Sequence, residues 1–225
     1  MFSCRFLRVP RTAMAVSTSP SSFARNRFLQ AVIAGYALVW IATAIAPLDW
    51  SVWAIENILV VLLLAILAGT YRRFPFSNPS YLLIALFLSL HAIGTHTGYA
   101  QSPLGFWMRD LLGLSRNPYD RVIHFSYGLL LAYPFHELVI RTSTLRGWVA
   151  HFSPVALILA ASAAFEVMES LVAEIVSPGT GPAWLGAQGD EWDMQFDLAV
   201  ALLGALAVMP FTWREARLPA RMERS

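Results

Sequence analysis

The chain alternates between six long apolar stretches and short polar connections. The stretches cover residues 28–47, 53–71, 81–99, 121–140, 148–176 and 192–211. Five of them are close to the roughly 20 apolar residues that an α-helix needs to cross a bilayer. The stretch 148–176 is longer and can tilt or extend beyond the membrane. The pattern predicts an all-α, polytopic membrane protein built as a bundle of about six transmembrane helices. Residues 102–114 are too short and too polar to cross, and we expect an interfacial helix there.

Composition favours the same fold class. Of the 225 residues, 57% are hydrophobic and only 13% are charged, with a mean hydropathy of +0.56. Soluble domains carry about 25% charged residues, so the lipid bilayer is the expected surrounding. The net charge of +2 is too small to indicate a nucleic acid partner. The single cysteine, Cys4, excludes a disulfide or a thiolate metal cluster within one chain.

The arginines predict the orientation. All 16 cationic residues are arginines, and with six spans 13 of them fall on the side of the two termini. Short cytoplasmic loops collect positive charge, so we expect both termini to lie in the cytoplasm, with the protein in a bacterial inner membrane. The chain then divides into an arginine-rich arm (1–27), a six-helix transmembrane domain (28–213) and a basic tail (214–225). The arm also has the composition of an organellar transit peptide, which is the less favoured alternative.

Ionisable side chains collect at the predicted outer half of the bundle. They come from four of the predicted helices: His91, His96, Asp120, Arg121, His124, Glu166, Glu169, Asp190, Glu191, Asp193 and Asp197. Such side chains are costly in a membrane and usually face a bundle interior or a watery cavity. The sequence therefore predicts one polar site, placed toward a single leaflet.

Helical spacing selects among these residues. Asp120 and His124 are four apart and share a helix face, and the same holds for Asp193 and Asp197. His91 is five residues from the next histidine, which places the two ~140° apart around the helix. We therefore expect a single site to use only one of these histidines, and we choose His91.

The residue types favour metal chemistry. Zinc accepts both imidazole and carboxylate ligands, and manganese prefers oxygen, so either ion is a candidate cofactor. We assign the metal ligands to His91, Asp120 and His124, the catalytic groups to Glu166, Asp193 and Asp197, and the substrate-binding groups to Arg121, Glu169 and Gln195.

Two other interpretations stay open. The carboxylates can act as general acid and base or pass protons without a metal. Alternatively, Arg121 and the helix N-termini neutralise the acids, with Asp120 and Asp190 serving as caps. At the other end of the bundle, we expect His136 and Glu137 to form an ordinary interfacial pair near Arg141.

Four sequence runs resemble the YjdF-like bacterial inner membrane proteins. They are HAIG (91–94), RNPYDRVIHF (116–125), FEVME (165–169) and LGAQGDEWDMQFD (185–197). This resemblance implies a membrane location and a multi-span helical fold. A weaker resemblance to VanZ-like membrane proteins rests on DRVIHF (120–125), Glu166, Asp193 and Asp197, with departures at Glu169 and Ala201. It implies cell-envelope chemistry.

Three functions follow as hypotheses. The first is a metal-assisted hydrolase or transferase that acts on an envelope lipid. The second is a non-catalytic protein of the envelope in which the charged residues form a structural or partner-binding network. The third is a proton-coupled transporter, which ranks last because few polar residues are predicted in the cytoplasmic half of the spans.

Overall fold

The computed structural model describes residues 23–145, 147–176 and 188–217. These ranges contain seven α-helices: α1 (Arg27–Thr43), α2 (Trp50–Thr70), α3 (Asn78–Thr97), α4 (Pro103–Leu112), α5 (Tyr119–Thr142), α6 (Gly147–Val176) and α7 (Asp193–Arg217). No strand occurs in them, so the all-α prediction is confirmed. Residues 1–22 of the predicted arm and 218–225 of the predicted tail lie outside the described ranges.

Four of these helices are long and apolar enough to cross a membrane. They are Trp50–Thr70, Asn78–Thr97, Gly147–Ile175 and Asp193–Thr212. Helix α1 is apolar but has only 17 residues. Helix α5 has 24 residues but carries Asp120, Arg121, Glu137 and Arg141, which lower its hydropathy. The structure thus has several apolar helices of membrane-spanning length, whereas the predicted count of six spans is not confirmed.

The six longer helices run in alternating directions. We call end A the end of the bundle at which α2, α5 and α7 begin and α1, α3 and α6 finish, and end B the opposite end. At end A, the Leu48 N–H donates to the His96 carbonyl oxygen (2.8 Å), and His96 Nδ1 lies 2.9 Å from the Thr43 carbonyl oxygen. At end B, the Asn26 side chain donates to the Asn78 side chain (2.8 Å), which joins the starts of α1 and α3.

Glu137 ties α5 to the start of α3 at end B. Its carboxylate accepts hydrogen bonds from the Ser77 N–H (2.9 Å) and the Ser77 hydroxyl (2.8 Å). It also forms an ion pair with Arg141 (2.6 Å). The neighbouring His136 stacks on His151 of α6, with ring centroids 5.2 Å apart. The bonds to Glu137 satisfy donors at the N-terminus of α3 that would otherwise lack partners.

Helices α5 and α7 pack at very short range through small residues. Gly128 of α5 lies against the backbone of Ala201, and Gly204 of α7 lies against the backbone of Phe125. A Cβ atom at either glycine would overlap a backbone oxygen of the facing helix. The two helices approach this closely because no side chain separates them. Since both helices begin at end A, the residues one turn nearer to that end are brought face to face.

The short helix α4 follows the α3 terminus at end A. Its ten residues include exposed Trp107, Leu111 and Leu112, so the helix predicted for this region is present. Its placement at a membrane surface stays a prediction.

Candidate functional site

A cavity of about 400 Å³ lies near end A between α2, α3, α5 and α6. Most of its wall consists of aliphatic and aromatic side chains, such as Leu59, Leu88 and Phe165. Its polar lining residues are Glu56, His91, Tyr99, Asp120, His124, Tyr127, Ser162 and Glu169. A largely apolar cavity with a few convergent polar groups is the usual form of a small-molecule site.

Asp120, His124 and Asp197 form a compact set of ligand atoms. Asp120 and His124 line the cavity, whereas Asp197 joins the set from α7 and is not part of the lining. One carboxylate oxygen from each aspartate and one ring nitrogen of His124 lie within 4.8 Å of one another. His124 and Asp197 are buried, and Asp120 is half-buried. The close packing of α5 on α7 explains this meeting, because His124 precedes Gly128 by one turn and Asp197 precedes Ala201 by one turn.

Helix α6 approaches the same histidine from another side. Glu166 Oε1 lies 3.1 Å from His124 Nε2, whereas Asp120 Oδ1 lies 3.9 Å from that nitrogen. The Ser162 hydroxyl lies 3.5 Å from His124 Nδ1, on the other side of the ring. The imidazole therefore has polar neighbours at both nitrogens, which fixes its orientation in the site.

Asp193 belongs to a separate charged layer, nearer to end A. It forms an ion pair with Arg116, and its Oδ1 lies 3.8 Å from Arg121 Nη2. Arg121 also pairs with Asp190 and places its guanidinium 4.5 Å from the Phe196 ring centroid. The sequence pattern predicts a catalytic role for Asp193 and a substrate-binding role for Arg121. The structure places both residues in this ion-pair network.

Asp190 is the part of this network that precedes α7. Its carboxylate accepts a hydrogen bond from the Trp192 N–H (3.0 Å) and lies 3.3 Å from Arg116 Nη1. The Trp192 N–H, together with Arg121 and Arg116, holds the pKa of Asp190 below its ordinary value. Asp190 therefore stays ionised well into the acidic range and helps to cap the α7 N-terminus.

The structure separates the two histidines of α3. His91 lines the cavity, and its Nδ1 is hydrogen-bonded to the Tyr99 hydroxyl (2.8 Å). His96 instead contacts the Thr43 carbonyl group at the end of α1. His91 is not among the three residues whose ligand atoms cluster on α5 and α7, so it lies on the cavity wall as a neighbour of Tyr99.

The remaining predicted substrate-binding residues lie in different places. Glu169 lines the cavity from α6, next to Phe165 and Met168. Gln195 is exposed on α7 and does not line the cavity.

Glu56 is a cavity residue that the sequence interpretation missed. It projects from α2, is 9% exposed and lines the cavity with Leu59 and His91. The sequence contains an indication of this position, because Glu56 is the only charged residue between positions 53 and 71. An ionisable residue within an otherwise apolar span is by itself an indication of a functional site.

The start of α5 is held by hydrogen bonds from the preceding loop. The Asn117 side chain accepts from the Tyr119 N–H (3.0 Å) and donates to the Ser102 carbonyl oxygen (2.9 Å). Gln188 bonds both the N–H and the carbonyl oxygen of Asn117, at 3.0 Å each. Asn117 is also packed against Gly105, where a Cβ atom would overlap it. These contacts fix where α5 begins and thus where Asp120 and His124 lie.

Long apolar helices that enclose a buried cluster of acids and histidines define the class as a polytopic helical membrane protein. The chain belongs to the family described as "Predicted membrane protein (DUF2238)", whose model matches residues 28–217. It is 38% identical over 178 residues to the inner membrane protein YjdF of Escherichia coli (strain K12), covering 79% of this chain and 85% of the relative.

These matches agree with the first family resemblance drawn from the sequence. The name of the relative places that protein in a bacterial inner membrane, in agreement with the predicted location. Neither match is to a VanZ-like protein. No solved structure matches the chain.

Proposed function

We propose that the protein is a metal-dependent membrane enzyme, a hydrolase or transferase, whose substrate is an envelope lipid. The observation that carries this proposal is the cluster of Asp120, His124 and Asp197 ligand atoms within 4.8 Å. Two of its members, Asp120 and His124, line a largely apolar cavity. The cluster offers ligands for a metal ion, and the apolar cavity offers space for the hydrocarbon part of a lipid.

The ligand set matches a divalent cation of the zinc or manganese type. One imidazole and two carboxylates are ligands that both ions accept. Two buried carboxylates close together are unfavourable without compensating charge. A divalent ion would supply that charge, with His124 as a neutral third ligand. The two arginines of the adjacent network are already paired with Asp190 and Asp193.

Glu166 is placed to act as the base. A cation held by Asp120, His124 and Asp197 would supply Lewis-acid activation of the water that attacks the phosphorus or carbonyl carbon of the lipid. Glu166, 3.1 Å from His124 Nε2, accepts the proton of that water. The proton then passes to the leaving oxygen as its bond to phosphorus or carbon breaks.

The proposal includes the predicted topology. The six longer helices cross the membrane, end A faces the outside, and residues 1–27 and 214–225 are cytoplasmic around a transmembrane domain of 28–213. Helix α5, at ~1.5 Å per residue, is about 36 Å long, which spans a hydrocarbon core of ~30 Å. Two of its charged residues contact the segments that precede other helices, Glu137 at Ser77 before α3 and Arg121 at Asp190 before α7.

A non-catalytic role is the second candidate, and one observation favours it. Arg116, Arg121, Asp190 and Asp193 bond to one another, as expected of a structural network. A transporter ranks lower, because Glu137 at end B is bonded to Ser77 and Arg141.

Metal content of the purified protein tests the proposal. We expect about one zinc or manganese ion per chain in the wild type, since the ligand cluster is a single one in the described residues. The double variant His124→Ala with Asp197→Asn should lose it. Asp110→Asn, which removes an exposed carboxylate of α4, should keep it. Wild-type protein that holds no metal after incubation with either ion would overturn the proposal.

A further inference from the structure

A second cavity, of about 110 Å³, lies between α2 and α6 and is lined by residues of these two helices alone. It shares five lining residues with the main cavity: Glu56, Leu59, Phe165, Met168 and Glu169. The two cavities therefore adjoin along one wall. On the outer side of this wall, Ile58 is 63% exposed and Leu59 is 38% exposed. In a membrane these side chains face lipid, so the gap between α2 and α6 opens sideways toward the bilayer.

Glu56 lies where the two cavities meet. It is buried, and among the described residues its carboxylate has no hydrogen-bond or ion-pair partner. Glu169 lines both cavities from the facing helix. No arginine lines either cavity in the part of the chain that the structure describes. A buried carboxylate without a compensating charge is unfavourable, so this position is suited to a ligand that brings a cation or several N–H donors.

We propose that the occupant is a zwitterionic lipid with a primary ammonium group, of the phosphatidylethanolamine class, which enters sideways between α2 and α6. Its ammonium group contacts Glu56 and Glu169, and its phosphate lies toward Asp120 and His124. The position of the phosphate rests on the metal-dependent function proposed above, whereas the ammonium contact does not. An ammonium group offers three N–H donors to carboxylates. A quaternary choline group offers none, and a glycerol headgroup carries no positive charge.

Lipid binding by the purified full chain tests this assignment. Native mass spectrometry is carried out with phosphatidylethanolamine, phosphatidylcholine and phosphatidylglycerol of identical acyl chains. We expect wild-type protein to bind phosphatidylethanolamine about tenfold more tightly than the other two, as charge-assisted hydrogen bonds imply. Glu56→Gln should abolish most of this preference. Glu174→Gln, which changes an exposed glutamate of α6, should leave it unchanged.

A second variant tests the route of entry. Leu59→Trp places a large side chain in the wall shared by the two cavities and should weaken binding of all three lipids. Equal binding of the three lipids by wild-type protein would overturn the proposal. The proposal would also be overturned if Glu56→Gln kept the full preference for phosphatidylethanolamine.

Metal content, measured on the same samples, separates this inference from the proposed function. If the wild type prefers phosphatidylethanolamine but holds no metal, the metal-dependent function fails and the ammonium site stands. If metal binds but the lipid preference is absent, the ammonium site fails and the metal centre stands.

Discussion

His124 is the residue on which three helices converge. Asp120 approaches its ring from α5 itself, Glu166 and Ser162 from α6, and Asp197 from α7. The acidic residues around it differ in which group lies beside each carboxylate. The arginines compensate Asp190 and Asp193, whereas Asp120 and Asp197 lie beside the imidazole. This division separates the structural acids from those proposed to hold a metal.

We expect the ion-pair network of arginines and aspartates near end A to stabilise the fold. Replacing Arg116 by Gln leaves Asp193 largely buried without its main partner, since the two side chains are only 11% and 13% exposed. Breaking such a pair costs about 3 kcal/mol or more. Thermal unfolding in detergent should show a clear decrease in Tm.

The matched control is Arg109→Gln. Arg109 pairs with Asp110 on the surface, with side chains that are 36% and 68% exposed. Such pairs contribute at most about 1 kcal/mol, so Tm should change little. Equal Tm values for the Arg116 and Arg109 variants would show that the network does not stabilise the fold.

Particular residues show how far the sequence predicts this site. Asp120, His124 and Asp197 are all predicted as site residues, because helical spacing and a common depth in the bundle place them together. The alternative in which Arg121 neutralises the acids agrees with its pairing with Asp190. Which of the acids Arg121 pairs with is not predictable, because that depends on the packing of residues 188–193 against α5. Glu56 was missed because it stands alone in its helix, apart from the clustered acids and histidines.

At the scale of elements, the contact between α5 and α7 controls the geometry of the centre. Gly128 and Gly204 let the two backbones touch, and this contact sets the separation of His124 and Asp197 one turn away. Gly204 and the alanines beside it are small enough to allow close helix packing. They do not identify α5 as the partner, because helix pairing depends on the whole bundle.

Alanine substitution at the contact tests this dependence. In Gly128→Ala and Gly204→Ala, the added methyl group would overlap the facing backbone, so the helices must separate. Overpacking of this kind costs about 1–3 kcal/mol or more. We expect a lower Tm in detergent together with reduced metal content.

Gly35→Ala is the control for these variants. Gly35 lies on an exposed face of α1, and nothing lies within 4 Å of the position its Cβ would take. This change should leave Tm and metal content as in the wild type or raise Tm slightly, because alanine favours helix. If Gly128→Ala behaved like Gly35→Ala, the close contact would not determine the site.

At the scale of the whole molecule, end A and end B differ in chemistry. End A has the cavity, the ligand cluster and the arginine network. At end B, Glu137 and Arg141 bond to Ser77 and Pro75 in the connection before α3. The proposed topology places end A outside, because the arginine-rich arm and tail then lie in the cytoplasm. The site would thus draw its lipid from the outer leaflet.

The single cysteine provides a test of this orientation. Cys4 lies in the arm, so a membrane-impermeant maleimide should label it in inverted vesicles and not in intact spheroplasts. In a Cys4→Ser background, Asp110→Cys places a thiol on α4 near end A, and the labelling should be reversed. Labelling of Cys4 in intact spheroplasts would contradict cytoplasmic termini.

The central claim is that Asp120, His124 and Asp197 bind one divalent cation. Anomalous X-ray diffraction from crystals grown with zinc tests it most directly. We predict one anomalous peak, ~2.0–2.2 Å from a nitrogen of His124 and from an oxygen of each aspartate, which disappears in the His124→Ala and Asp197→Asn double variant. A map with no peak between these three side chains, from crystals with bound zinc elsewhere, would contradict it.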